Sequence, residues 1–217
     1  MDRNAEMLAN AGHAHLSTIE ALAEALKARD SYTAGHGVRV AAYAIEIAKI
    51  LGASQRDIEI VRIGAKLHDI GKIGVPDSIL LKPAPLTEEE CGYMRVHTRI
   101  GQRIIAKVPG LESLLAIVEL HHENFDGSGY PYGLQGENIP LLARIVRVAD
   151  AFDAMITDRV YRTAFSPERA IEQIQAGAGA LFDPDVVAAF EKVVRVADRL
   201  PSVDESMFVL ERLVTPA

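Results

Sequence analysis

The chain has 217 residues, 49% apolar and 24% charged, with a formal net charge of −7; that length buries a sizeable core and fits one domain with a short appendage. The acidity argues against a basic surface that coats nucleic acid polymers, and the absence of Trp with only 6% aromatics leaves few base-stacking platforms. No apolar run approaches the roughly 20 residues of a membrane span, Met1-Asp2-Arg3-Asn4 lacks the apolar core of a secretory signal, and the single Cys91 excludes an internal disulfide and a thiolate metal cluster, as fits a reducing cytoplasm.

In chain order, Met1 to Leu16 reads as a linker or coiled-coil continuation of a sensory or receiver domain. Ile19, Leu22, Ala23 and Leu26 then follow the i, i+3, i+4, i+7 spacing of one buried helical face. A second apolar run, Val38 to Leu51, stops at Gly52, a natural C-terminal cap. Ser54 with Asp57 opens a helix running towards His68. Thr87-Glu88-Glu89-Glu90 is a capping box that predicts a helix carrying His97. Pro109-Gly110 breaks the chain, and Leu111 to His122 reads as the next helix. His122 to Pro140 is a long irregular stretch rich in Gly and Pro, and such a loop inside a compact domain is usually functional. Leu141 to Thr157 is apolar and helical, and Ser166-Pro167 and Asp183-Pro184 each pair an N-cap with proline at the first helical position. The tail from Val203 to Val214 fits a short strand or a helical turn. The expected fold class is all-α, with one long Gly-rich loop.

Five of the seven histidines, His36, His68, His97, His121 and His122, fall at or near predicted helix ends. Alone, each reads as a capped or surface residue. Their company changes the reading: Asp69 follows His68, His121 adjoins His122, and Asp150 interrupts the apolar run Arg144 to Ala149. A carboxylate inside such a helix needs a cation or hydrogen-bond donors. Several imidazoles with two carboxylates and no thiolate suit Fe, Mn or another divalent ion, and favour Fe or Mn over Zn. The spacing alone does not say which helices meet.

Four blocks carry a resemblance. His68-Asp69-Ile70-Gly71-Lys72-Ile73-Gly74-Val75-Pro76-Asp77 resembles the core motif of the HD-GYP family, and His121-His122-Glu123-Asn124-Phe125-Asp126-Gly127-Ser128-Gly129-Tyr130-Pro131 resembles its second signature. Asp30 to His36 and Val148 to Ala154 match two further blocks, in family order, so that the similarity runs from about Ile19 to Val194. It implies an HD-superfamily helical bundle over 18–195, with a helical linker at 1–17 and an extension at 196–217.

The resemblance implies a cytoplasmic phosphodiesterase that opens cyclic di-GMP to pGpG, and in a second cut to GMP, through a hydroxide bridging two divalent ions, Fe or Mn. Carried over residue by residue, His36, His68, Asp69 and Asp150 hold one ion, and Asp69 bridges to a second held by His97, His121 and His122. Tyr32 stands where some relatives carry a Glu for a third ion, which favours two. Lys72, by itself a surface lysine at a helix end, becomes a phosphate contact within this motif, one turn beyond His68, as do Arg159 and Arg162, whose planar forks suit phosphate oxygens. Asp30 and Asp153 orient ligands or the attacking water, or else cap a helix or pair with an arginine. The Gly-Tyr-Pro loop is linked in the family to GGDEF diguanylate cyclase proteins, a contact suited to Phe125, Tyr130 and Tyr132, which are expected to be exposed aromatics. A homodimer is left open. Rival readings are a phosphohydrolase of another nucleotide, a non-catalytic cyclic di-GMP receptor and a di-iron oxygenase on the same scaffold.

Overall fold

The computed structural model describes residues 17–29, 35–158 and 163–195. A helix through 17–29 (α1) is followed by α2 (His36–Ile50), α3 (Gln55–Leu67), the short α4 (Asp77–Leu80), α5 (Glu88–Arg95) and α6 (His97–Ile105). Then come α7 (Leu115–Leu120), the long loop, α8 (Leu141–Ile156), α9 (Pro167–Ala176) and α10 (Pro184–Arg195). Tight 3-10 turns at Ile70–Gly74, Glu112–Leu114 and Gly136–Asn138 link them. Among the described residues no strand forms, which is the all-α architecture expected from the periodicities, and no helix is long and apolar enough to cross a membrane.

Helix starts obey local chemistry. Ser54 accepts from the Asp57 amide, Thr87 and Glu90 form a reciprocal capping box, and Ser166 accepts from the Arg169 amide with Pro167 in the first turn. Asp183 Oδ1 accepts from the Asp185 amide at 2.8 Å to start α10. Each such cap stabilises its helix by about 1 kcal/mol. Gly52, with φ at 74°, closes α2 in the left-handed conformation that glycine adopts without penalty.

Two apolar clusters hold the bundle. The larger joins α2, α3, α8, α9 and α10 around Phe152 and Phe190, whose rings meet edge-on at 4.9 Å; such a pair adds about 0.5–1.5 kcal/mol beyond its buried area. The smaller joins Ile19 and Leu26 of α1 to Ile63, Leu67, Ile105, Leu114 and Val118. Helix α3 serves both: Ile58, Val61 and Ala65 face the first, Ile63 and Leu67 the second. Its C-terminal end, and with it His68 and Asp69, therefore emerges where the two cores meet. The next turn is pressed onto α6. A Cβ on Gly71 would stand 1.8 Å from the His97 carbonyl oxygen and 2.5 Å from the Gly101 nitrogen, so only glycine lets these backbones approach.

Three expectations change. The helix begun at Thr87 does not carry His97: it ends at Arg95, Val96 forms a turn and His97 opens α6. Leu111 to His122 is not one helix but a 3-10 turn followed by α7, which stops at Leu120. Lys72 lies in a 3-10 turn after α3 has ended, rather than on its continuation. Asp30, Tyr32, Arg159, Arg162, the linker through Leu16 and the tail from Val203 lie outside the described residues.

Candidate metal centre

Helix ends from four parts of the bundle converge on one buried place. His36 is the first residue of α2, His68 caps the C-terminus of α3, His97 opens α6 immediately after α5, and His121 caps α7 with His122 beside it. Asp150 projects from the middle of α8. His36, His68, Asp69, His97 and His121 are all at most 4% exposed, and Asp150 is 8% exposed. Their ligand atoms fall into two groups, Asp69 with His97, His121 and His122, and His36 with His68 and Asp69, each within 4.8 Å. Asp69 belongs to both. Asp150 Oδ1 adjoins the second group, 3.2 Å from His36 Nε2 and 3.8 Å from His68 Nε2.

The rings are set to present one nitrogen inward. Nδ1 of His68 donates to the Ala65 carbonyl at 2.7 Å, Nδ1 of His97 to Met94 at 2.8 Å, and Nδ1 of His121 to Val118 at 3.1 Å. With Nδ1 protonated, Nε2 keeps its lone pair. His97 Nε2 and His121 Nε2 then face each other at 3.4 Å, two lone pairs that repel unless a cation or proton lies between them. The donor set therefore fits a divalent ion bound through nitrogen and oxygen.

Electrostatics divide the two groups. Burial pushes His121 and His122 well below the usual imidazole range, with neighbouring imidazoles adding to the fall at His121 and the Asp150 field opposing it at His122; burial also lowers His97. These rings stay neutral. Burial also works against charge on His36, but hydrogen bonds to Asp150 and Asp153 outweigh it and raise this ring to about 9. His68 is likewise raised: burial opposes its charge, and Asp69 overcomes that. Burial disfavours ionised Asp69 and Asp150, yet Lys72 beside the first and His36 beside the second hold both well below the carboxylate range.

Around the centre lie supporting groups. Asp153, fully buried, accepts from His36 Nδ1 at 2.7 Å and from Arg39 Nε and Nη2 at 2.7 and 2.9 Å. It thus pairs with an arginine and orients a ring at once, and it lies behind His36 on that ring's Nδ1 side. Lys72 Nζ sits 2.7 Å from Asp69 Oδ2. The Tyr130 ring packs on His122 at 4.8 Å under the Arg95 guanidinium, and is not the exposed aromatic expected; Phe125 is half-buried, and only Tyr132 of the three is exposed. Arg39, Glu123 and Arg147 were not singled out in the sequence. Buried Glu123 accepts from the Tyr132 and Leu134 amides at 2.7 and 3.0 Å, tying the Gly-rich loop to the centre. A cavity of about 450 Å³ between α1 and the start of α2 reaches His36, His68 and Asp69.

Comparison with known proteins agrees with this architecture. The HD domain family matches residues 20–186. The cyclic di-GMP phosphodiesterase response regulator RpfG of Xanthomonas campestris pv. campestris is 44% identical over 176 residues, 79% of this chain and 46% of RpfG. A cyclic di-GMP phosphodiesterase of Thermotoga maritima is 45% identical over 76% of this chain and 45% of its own length. The 3'3'-cGAMP-specific phosphodiesterase 3 of Vibrio cholerae is 37% identical over 82% of this chain and 39% of its own. The chain thus spans less than half the length of these relatives. Among solved structures, the HDG"Y"P protein Bd1817 of Bdellovibrio bacteriovorus superposes with a TM-score of 0.61 at 21% identity, over 75% of this chain and 52% of that one. The HD domain of the L. monocytogenes phosphodiesterase PgpH, in complex with cyclic-di-AMP, gives 0.59 at 17% identity over 81% and 94%. The fold, the paired histidine blocks and the family match converge: this chain belongs to the HD domain family.

Proposed function

We propose that the chain is a metal-dependent phosphodiesterase that hydrolyses cyclic di-GMP to pGpG and onward to GMP. The observation that carries this reading is the shared carboxylate Asp69 between two groups of imidazoles, of which His36, His68, His97 and His121 have their Nδ1 atoms committed elsewhere. His36, His68, Asp69 and Asp150 would hold one divalent ion, and Asp69, His97, His121 and His122 the other. Two bound ions, iron or manganese for this nitrogen and oxygen set, supply an activated water and offset charge on the phosphodiester.

The chain's own groups do the rest. Asp153 holds the His36 ring with Nε2 inward, and His97, His121 and His122, kept neutral by burial, have lone pairs available at neutral pH. Lys72, whose Nζ lies 2.7 Å from Asp69 Oδ2, would offer its charge to a phosphate oxygen, as would Arg159 and Arg162. The cavity beside His36 and Asp69 gives a nucleotide access to these atoms. A GGDEF partner would dock on exposed Tyr132, which shares a groove with Tyr93, Val96 and Arg99. A second reading, a cyclic dinucleotide containing adenine, is favoured by the 3'3'-cGAMP-specific relative.

The test is chromatography of cyclic di-GMP, 3'3'-cGAMP and cyclic di-AMP incubated with anaerobically purified protein reconstituted with Mn or ferrous iron. Asp69→Ala runs beside it and should abolish turnover. Full metal occupancy with retained activity in that variant would refute the bridging assignment. Cleavage of an adenine-containing dinucleotide in preference to cyclic di-GMP would select the second reading, and metal-loaded protein that cleaves none would sink the enzymatic one.

A further inference from the structure

Four arginines among the described residues bury an Nε that has no hydrogen-bond partner: Arg29, Arg62, Arg144 and Arg147. Three of them meet a carboxylate. Arg29 pairs with Asp77 at 2.7 Å, Arg62 with Glu59 at 3.2 Å, and Arg144 with Asp183. Arg147 differs: among the described residues no carboxylate lies within ion-pair distance. Its contacts are one neutral hydrogen bond, Nη2 to Asn124 Oδ1 at 2.9 Å, and the face of Phe182 at 5.4 Å. A guanidinium stays charged under physiological conditions, and a charge this poorly compensated in a largely buried place is costly unless an anion completes it.

Its position says which anion. Arg147 lies one turn before Asp150 on the same face of α8, since residues three apart are neighbours on a helix surface. Its partner Asn124 is two residues past His122 in the chain. Arg147 is thereby fixed to both elements that carry metal-centre residues on this side. Its charge is felt at His122 and Tyr130, and the Asp150 field acts back on it. Lys72 has Asp69 for a partner at 2.7 Å, so it is a counter-charge to the centre before any substrate arrives. Among the described residues Arg147 has no such counter-ion within ion-pair distance. With Nη2 held by Asn124 and Nε enclosed by protein, Nη1 remains as the donor for a phosphate oxygen.

We propose that Arg147 is a substrate-binding residue of the centre, which donates to a non-bridging oxygen of the bound cyclic dinucleotide's phosphodiester while Asn124 fixes the orientation of its guanidinium. The proposal rests on the phosphodiesterase reading above and adds to it a residue outside the motif blocks' ligand set.

The experiment uses the Mn-reconstituted chain with cyclic di-GMP, comparing wild type, Arg147→Lys, Arg147→Ala and Asn124→Ala by steady-state kinetics, equilibrium binding, metal content and melting temperature. Arg147→Ala should lower kcat/KM about 10- to 100-fold, the range of one charge-assisted hydrogen bond, chiefly through KM. Arg147→Lys should recover part of the loss, and Asn124→Ala should raise KM by a smaller factor. Guanidinium ion at low millimolar concentration should restore part of the Arg147→Ala activity, which a purely structural arginine would not allow. Unchanged KM and binding in Arg147→Ala overturn the proposal while leaving the phosphodiesterase reading intact. Loss of metal or of folding in Arg147→Ala without guanidinium rescue assigns the residue to structure and also overturns it. If the wild-type chain neither binds nor cleaves the dinucleotide, the underlying reading fails and this proposal fails with it.

Discussion

Asp153→Asn tests the centre at its most buried support. The carboxylate accepts three hydrogen bonds, one from His36 Nδ1 and two from Arg39. Asparagine keeps the shape and one oxygen, which serves either Arg39 Nε at the Oδ1 position or His36 Nδ1 and Arg39 Nη2 at the Oδ2 position. The new amide nitrogen is a donor and meets another donor whichever way the side chain turns: His36 Nδ1 and Arg39 Nη2 at the Oδ2 position, or Arg39 Nε at the Oδ1 position. Breaking a buried charge pair from one side costs about 3–5 kcal/mol. The Arg39 side chain is 30% exposed and can recover water, which brings the expectation down to about 3 kcal/mol. For a chain of this size that corresponds to a fall of about 6–12 °C in melting temperature. The same change weakens the support of His36: with the oxygen at the Oδ1 position its acceptor is lost, and with the oxygen at the Oδ2 position a neutral acceptor replaces a carboxylate. Metal affinity should therefore fall, by roughly 10- to 100-fold where the acceptor is lost. Differential scanning fluorimetry with chelator present reads the first effect, and Mn titration by calorimetry reads the second. Unchanged melting and unchanged Mn affinity would mean that Asp153 neither anchors Arg39 nor orients His36, and the description of this side of the centre would be wrong.

Three further outcomes follow from the same structure. Gly71→Ala puts a methyl group against the His97 backbone, which no rotamer change relieves, and should cost about 3 kcal/mol or more while weakening metal binding; a wild-type urea midpoint would refute the close approach. Glu123→Gln should leave one of the Tyr132 and Leu134 amides poorly paired, at a cost of about 1–3 kcal/mol. Hydrogen exchange at those two amides should accelerate, and unchanged protection would refute the tether. In chelator, melting temperature should peak near pH 6.5 and fall on both sides. Below it, the unfolded chain protonates His97, His121 and His122 while the folded chain resists, so acid destabilises. Above it, the folded chain holds protons on His36, up to about 9, and on His68 that the unfolded chain has released, so stability is lost as pH rises. A melting temperature that rises monotonically from pH 5 to 9 would contradict that balance.

Helix starts were legible because their signals are local. Ser54, Thr87 with Glu90, Ser166 and Asp183 all cap as their side chains dictate. The break at Val96 carries no glycine or proline and could not be read that way. It exists because His97 Nδ1 takes the Met94 carbonyl and because Gly71 packs on the first turn of α6, and both depend on elements brought together by folding. Tyr130 was expected outside because it lies in a polar, Gly-rich loop; the ring instead covers His122, a contact only the folded loop defines. Arg39 escaped notice for the same reason, since its partner Asp153 is 114 residues away and neither neighbour on the helix hints at the pair.

Three of the five histidines, His68, His97 and His121, were legible for a deeper reason than their motif. A helix C-terminus leaves carbonyls without intrahelical partners, and an imidazole placed there can bond one through Nδ1 and aim Nε2 elsewhere. His68 uses a carbonyl in the last turn of α3, His97 one in the last turn of α5, and His121 carbonyls in α7. Each ring is oriented by its own local chain, so a histidine just past a helical run already contains its own alignment. His36 cannot work this way. It stands at a helix N-terminus, where the free backbone groups are N–H donors rather than carbonyls. Its Nδ1 needs an acceptor from another element, and α8 supplies Asp153. That asymmetry explains why a second acid three residues beyond Asp150 is buried on a face of α8 whose other buried residues are apolar, with an arginine from α2 to offset its charge.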